Sequence, residues 1–187
     1  MKKYQILENR AIEIDGKTLY RIKAIRDFGN VKSGELGGYV ESENNLSQNG
    51  NCWIADEAKA YDNSNIRDDA YLHGNATAKD YATICGNACI EDYATVKDHA
   101  TVYEFANLRD NCTVQDHAII ASHAVIGGYA KIRHSAYIGG FSYITDNATV
   151  GGFAKLCGTI SVRNNVFVGG FTFRLRCHDM THGFRII

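Results

Sequence analysis

The 187-residue chain contains no proline, one tryptophan and two methionines. A globular chain of this size ordinarily carries about 5% proline. Its absence excludes proline-rich linkers and collagen-like segments, and suits a backbone in which every amide serves as a donor. No apolar run approaches the roughly 18 residues of a membrane-crossing helix. The opening Met1-Lys2-Lys3-Tyr4 has two lysines but no apolar core behind them, so no secretory signal is expected. Six cysteines are then expected as reduced thiols and the compartment as the cytoplasm. Charge of one sign is also lacking: 20 basic and 21 acidic side chains leave a net charge of -1. That balance argues against a generally basic nucleic-acid binder and against an acidic duplex mimic. Hydrophobic residues make up 45% of the chain, which argues against disorder.

What the chain does have is a period of six. From Gly50 it divides without insertion or deletion into twenty hexapeptides, among them DYATIC, GNACIE, DYATVK and DHATVY, ending at Gly169. The third place is Ala, Cys or Ser in eighteen of the twenty, and the fifth is Ile, Val or Leu in eighteen. The first place is Asp in nine blocks and Gly in seven, which suits a corner. Places three and five lie two apart and point to one side of a strand, while place four points to the other. A helix would rotate this apolar pair over all its faces, and a sandwich would need longer, less regular spacing. The period predicts a parallel β-solenoid.

An aliphatic residue followed four places later by a small one, as in Ile84 and Ala88 or Val96 and Ala100, resembles the hexapeptide repeat of the left-handed β-helix superfamily. The resemblance implies an all-β fold, a left-handed parallel β-helix shaped as a triangular prism with eighteen residues per coil. Twenty blocks then give about 6.7 coils, roughly 32 Å of prism at the usual strand spacing.

Residues 1–49 fall outside the repeat, 50–169 carry it, and 170–187 follow it. Ala11 to Ile14, Asp15-Gly16 and Lys17 to Ile25 read as a β-hairpin on an Asp-Gly turn. The glycine-rich stretch from Gly29 to Val40 is followed by no lysine-serine pair and no helix, so it reads as a cap over the first coil rather than a phosphate loop. This head resembles that of uncharacterised hexapeptide-repeat proteins of bacteria and their phages, a resemblance that implies no activity. In the tail, Phe171, Phe173 and Leu175 alternate with polar residues as a closing strand, and Cys177, His178 and His182 gather metal-ligating chemistry near Asp179.

Adding eighteen sorts the outward residues into ranks. Thr77, Thr95, Thr113, Lys131 and Thr149 form one, with Lys79, Lys97, Gln115 and Arg133 beside it; Asp80, Asp98 and Asp116 at the next corner are expected to neutralise the lysines. Tyr81, His99 and His117 form another rank, with His123 one block along. In the superfamily, acyltransferases use a catalytic histidine beside a groove between subunits, and one carbonic anhydrase class binds metal through histidines. The resemblance therefore makes His117 and His123 candidate catalysts or ligands, though the chain lacks the extruded loop and terminal helix usual in such acyltransferases. Flat rings also occupy the second place in other blocks, so these histidines read equally as members of a ring stack. Of the cysteines, Cys52 and Cys112 fall inward, while Cys85, Cys89 and Cys157 fall at outward or turn places.

Ile119, Val125, Tyr137 and Tyr143 put large apolar groups at the outward fourth place, with Phe105 and Phe141 beside them. They meet along one prism edge, which marks an interaction surface. The superfamily commonly forms trimers through its prism flanks. The expected function is therefore a non-enzymatic, homo-oligomeric binding or scaffold protein, with self as first partner and no cofactor. The phage resemblance adds a specialised form, an inhibitor of a host antiviral-defence complex. The alternatives are an acyl- or acetyltransferase with its site between subunits, and a histidine metal site.

Overall fold

The computed structural model describes residues 2–169 and the strand backbones 174–176 and 184–186. The hairpin forms as expected and reaches further back: β1 (Tyr4–Ile14) runs antiparallel to β2 (Lys17–Ala24), with Asp15 and Gly16 at positive φ in the turn. Between Leu7 and Ala11 the register shifts, so Glu8, Asn9 and Arg10 bulge out of the pairing. β3 (Leu36–Val40) pairs antiparallel with β2 and then parallel with the first solenoid strand beside it, Lys59–Ala60.

Beyond the cap each hexapeptide supplies one short strand, and strands eighteen residues apart pair in parallel. Three sheets result. Face I runs from Lys59–Ala60 through Thr95–Val96 to Phe167–Val168 and continues outward through β3, β2 and β1. Face II runs from Asn65–Ile66 through Ile119–Ile120 to Arg174–Arg176, and face III from Trp53–Ile54 through Val125–Ile126 to Phe184–Ile186. The chain is an all-β solenoid of about seven coils with a hairpin cap, as the period predicts. No helix among the described residues is long and apolar enough to cross a membrane.

Periodicity becomes packing directly. Third-place alanines and fifth-place aliphatics are fully buried from Ala58 to Leu156, forming one continuous column. The two inward serines are buried as well, and Ser142 Oγ donates to the Gly139 carbonyl at 2.7 Å. Where the third place carries Ile160 instead of a small residue, it is still buried. Cys52 and Cys112 lie in the core as expected. Cys85, read as an outward or turn residue, is buried instead, because the sixth place turns under the next corner. The described cysteines are free thiols.

Corners follow an equally strict rule. All twenty first-place residues have positive φ, from 52° at Asp56 to 101° at Gly158. Glycine enters this region without penalty and aspartate more readily than most residues. Aspartate has a second use there: its carboxylate accepts the backbone N–H of the corresponding corner one coil later. Asp80 Oδ2 accepts from Asp98 N at 3.2 Å, Asp98 Oδ2 from Asp116 N at 3.1 Å, and Asp116 Oδ2 from His134 N at 2.7 Å. The strand ladder leaves this amide unused, so the side chain supplies the missing acceptor.

The ladder also explains the cap. Each coil's amides donate to carbonyls of the next coil, as Thr95 N does to Cys112 O at 2.9 Å. Carbonyls of the first coil therefore have no preceding coil to donate to them. Tyr39 N donates to Ala58 O and Glu41 N to Ala60 O. The Tyr4 hydroxyl donates to Leu46 O at 2.6 Å. The fully enclosed Lys3 Nζ donates to the carbonyls of Asn49, Gly50 and Cys52 at 3.2, 3.2 and 2.9 Å, with the Phe28 ring 5.0 Å away. Burial draws the Lys3 pKa down, while the neighbouring Cys52 works the other way. Trp53 occupies an outward fourth place, yet the cap buries it edge-on against Tyr4 and Phe28. That approach requires glycine in β3: a Cβ at Gly37 would lie 2.5 Å from the Trp53 ring, and one at Gly38 would lie 2.3 Å from Ala58 O.

Candidate functional site

The edge between faces II and III gathers the residues nominated for an interface. Its second-place rank is Phe105, His123 and Phe141, stacked ring on ring. Centroids lie 5.0 Å apart for Phe105 and His123 and 4.9 Å for His123 and Phe141, with interplanar angles of 8° and 3°. The two phenylalanines therefore do not touch each other; the histidine lies between them. Both remain more than half exposed, at 56% and 59%. The corner residues beneath the first two rings, Glu104 and Ser122, take φ of 60° and 58°, a region costly for side chains other than Gly, Asn and Asp. Glu104 Oε2 steadies this corner by accepting from Ser122 N at 2.7 Å.

Ile119 and Tyr137 flank the rank as register partners on face II, and Val125 and Tyr143 do so on face III. Ile119 is exposed, but the tyrosines are less apolar outward than their type suggests. Lys155 Nζ lies 4.9 Å from the Tyr137 ring centre. The Arg163 guanidinium lies 5.1 Å from that of Tyr143, and Arg109 Nη2 donates to the Tyr143 hydroxyl at 3.1 Å. Burial, then the neighbouring Tyr103, push the Tyr137 pKa up to about 12. The edge is thus narrower than six apolar side chains imply: three stacked rings and Ile119, fringed by cations.

The other histidine rank lies at the edge between faces I and II. Tyr81 stacks on His99 at 4.8 Å and His99 on His117 at 5.0 Å, with interplanar angles of 10° and 11°. All three are exposed. His117 and His123 thus stand on different edges. Among the described residues, neither makes a hydrogen bond that would fix its tautomer or aim a ring nitrogen. A general base needs such an orienting partner. Stacked imidazoles hold their nitrogens in parallel planes, and among the described residues no group of three or more His, Cys, Asp or Glu side chains converges as a metal site. Cys177, His178 and His182 lie outside the described residues.

The basic strip on face I is arranged differently from expectation. Asp80, Asp98 and Asp116 spend their carboxylates on backbone amides and not on the lysines. Lys79 turns to the cap, pairing with Asp15 at 3.7 Å.

One cluster escaped the sequence reading. On face III, His73 Nε2 lies 3.6 Å from Cys89 Sγ and 3.4 Å from Glu91 Oε2, and Asn107 Nδ2 donates to Glu91 Oε1 at 3.1 Å. Adding eighteen to His73 gives Glu91, so coil arithmetic alone would have found the pair. Burial, then Glu91, push the Cys89 pKa up to about 11. At neutral pH it is a thiol, not the thiolate a nucleophile requires. Cys89 and Glu91 also address the same imidazole nitrogen, which leaves no relay through the ring.

No protein-family description matches the chain. It is similar to an uncharacterized acetyltransferase, YdcK, of Escherichia coli strain K12, with 39% identity over 64 residues. The match covers 30% of this chain and only 20% of that protein's length. That likeness, the six-residue period and the three-faced stack of parallel coils together make the chain a hexapeptide-repeat β-helix protein.

Proposed function

We propose that the protein is a self-associating β-helix whose contact surface is the edge between faces II and III, and that it binds rather than transforms its partners. The observation that carries this reading is the exposed rank of Phe105, His123 and Phe141, flanked by Ile119 and Val125. Of the other two edges, one stacks Tyr81 on the more polar His99 and His117, and on the third Tyr93 and Tyr129 alternate with Asn75, Asn111 and Asn147. Stacked rings that remain over half exposed keep apolar area that a second copy of the same edge would cover. The cations over Tyr137 and Tyr143 suit a polar rim around that contact. Self-association of two or three copies is the primary reading, and a host protein on the same edge is secondary. The bacterial likeness lends no support to the phage-inhibitor form.

A second reading has its own observation. The similarity to a protein named as an acetyltransferase favours acyl transfer at a site between copies, with His117 or His123 as base. The same surface would then assemble the site. Two measurements on the full chain separate the readings. Light scattering gives the mass of the wild type and of Phe141→Asp, and calorimetry titrates each with acetyl-coenzyme A. Assembly without coenzyme binding supports the scaffold. Assembly with binding that is lost in His117→Ala or His123→Ala supports the enzyme.

A further inference from the structure

Beside the cap, the loop joining β2 to β3 overhangs the start of face III and leaves a groove of about 600 Å³, the size of a small-molecule site. Asn30 and Glu35 line it from the loop. From the solenoid come Asn51, Asp69 and Asn87, one residue per coil at the same place, with Tyr71 beside them. The groove is braced: Asn51 donates to Asp69 Oδ1 from its backbone N at 3.1 Å and from Nδ2 at 2.9 Å, and Glu35 Oε2 accepts from Lys32 N at 3.1 Å. Among the described residues this leaves unengaged one oxygen each of Asp69 and Glu35, Asn51 Oδ1, the Asn30 and Asn87 amides and the Tyr71 hydroxyl. The Tyr71 ring is 37% exposed.

This chemistry is selective. Two carboxylates and no Lys, Arg or His line the groove, so phosphates and the pyrophosphate of a coenzyme are repelled. Carboxylates only accept, whereas the amides and the phenol both donate and accept. A ligand that meets all of them carries many hydroxyls, each both donor and acceptor, and an apolar face for the tyrosine. Coil spacing of about 4.8 Å sets successive polar side chains roughly one pyranose ring apart. We propose that this groove binds a neutral saccharide, with Tyr71 as the ring platform and Asp69, Glu35 and the three asparagines holding its hydroxyls. The groove lies at the cap end of the same edge, Asn87 standing one coil before Phe105, and sugar binding there does not require self-association.

The test is saturation-transfer NMR on the full chain with glucose, galactose, N-acetylglucosamine and maltose at millimolar concentration, and methylguanidinium in parallel. At least one sugar is expected to show transfer. Tyr71→Ala and the isosteric Asp69→Asn each weaken it by about tenfold or more, and Tyr129→Ala on the opposite edge leaves it unchanged. Both substituted side chains line the groove rather than the core, and circular dichroism identical to wild type verifies folding. If Tyr71→Ala fails that check, Asp69→Asn decides. Absence of transfer from every sugar, transfer undiminished in the folded variants, or binding of methylguanidinium alone overturns the proposal.

Discussion

Each hexapeptide opens on a residue that must turn through the left-handed backbone region, and at nine of these corners aspartate meets two demands together. It tolerates the positive φ, and it accepts the amide of the corner one coil later. The two contributions separate by substitution at Asp98, whose φ is 56° and whose Oδ2 takes Asp116 N. Asn keeps both, Gly keeps the φ and loses the acceptor, and Ala loses both. Urea denaturation is expected to rank the variants Asn, Gly, Ala in falling stability, with Ala about 1–3 kcal/mol below wild type. An Ala variant as stable as Gly would show that the backbone conformation costs nothing there. The Asp–Gly alternation was legible as a corner signal, but the acceptor role was not. It requires knowing that the strand ladder omits that amide, which only the stacked coils reveal.

At the scale of elements, the faces were readable because inward places three and five never lose phase. The hairpin was readable from Asp15-Gly16, whereas the earlier half of β1 was not, because Glu8, Asn9 and Arg10 interrupt its alternation where the register shifts. Trp53 and Lys3 were opaque for one reason: each is an outward or terminal residue claimed by a cap that evens out the first coil. In face I the inward rank runs Val40, Ala60, Ala78, Val96. Two alanines where branched residues stand elsewhere leave these strands with less buried apolar surface. The outer cluster of Leu19, Tyr39 and Tyr61 offsets part of that loss. Hydrogen exchange at the Lys59, Tyr61 and Thr77 amides is expected to be faster than between residues 84 and 156, with opening free energies about 1–3 kcal/mol lower. Slower exchange there would contradict the account.

The hairpin is also fastened by charge. Burial works to raise the Asp62 pKa, but Lys17, the Asp80 amide and Lys79 outweigh it and hold the carboxyl below its ordinary range. A depressed folded pKa contributes stability that is fully present above the unfolded value, about 4 for aspartate. It is lost as pH falls through the folded value. Asp62→Asn is therefore expected to lower the urea midpoint, read by Trp53 fluorescence beneath the cap, at pH 7. The gap to wild type should close on acidification below about pH 4. A gap unchanged at acid pH would remove the Lys17–Asp62 pair from the explanation.

For the molecule as a whole, missing proline and near-zero net charge find their place in one architecture. Interior strands need every amide for the next coil, and the acidic corners serve the backbone rather than a partner. The ring edge was half legible. Adding eighteen found Ile119, Tyr137, Val125 and Tyr143 on adjoining faces, and the same step places His123 between Phe105 and Phe141 and Lys155 beside Tyr137, whereas the reach of Arg109 and Arg163 to Tyr143 is not carried by periodicity. The central claim is that this edge joins copies of the chain. Light scattering on the purified protein tests it directly. The account predicts a mass of two or three chains for the wild type, and of one chain for a folded Phe141→Asp variant. A monomeric wild type, or a folded variant that keeps the wild-type mass, would contradict it.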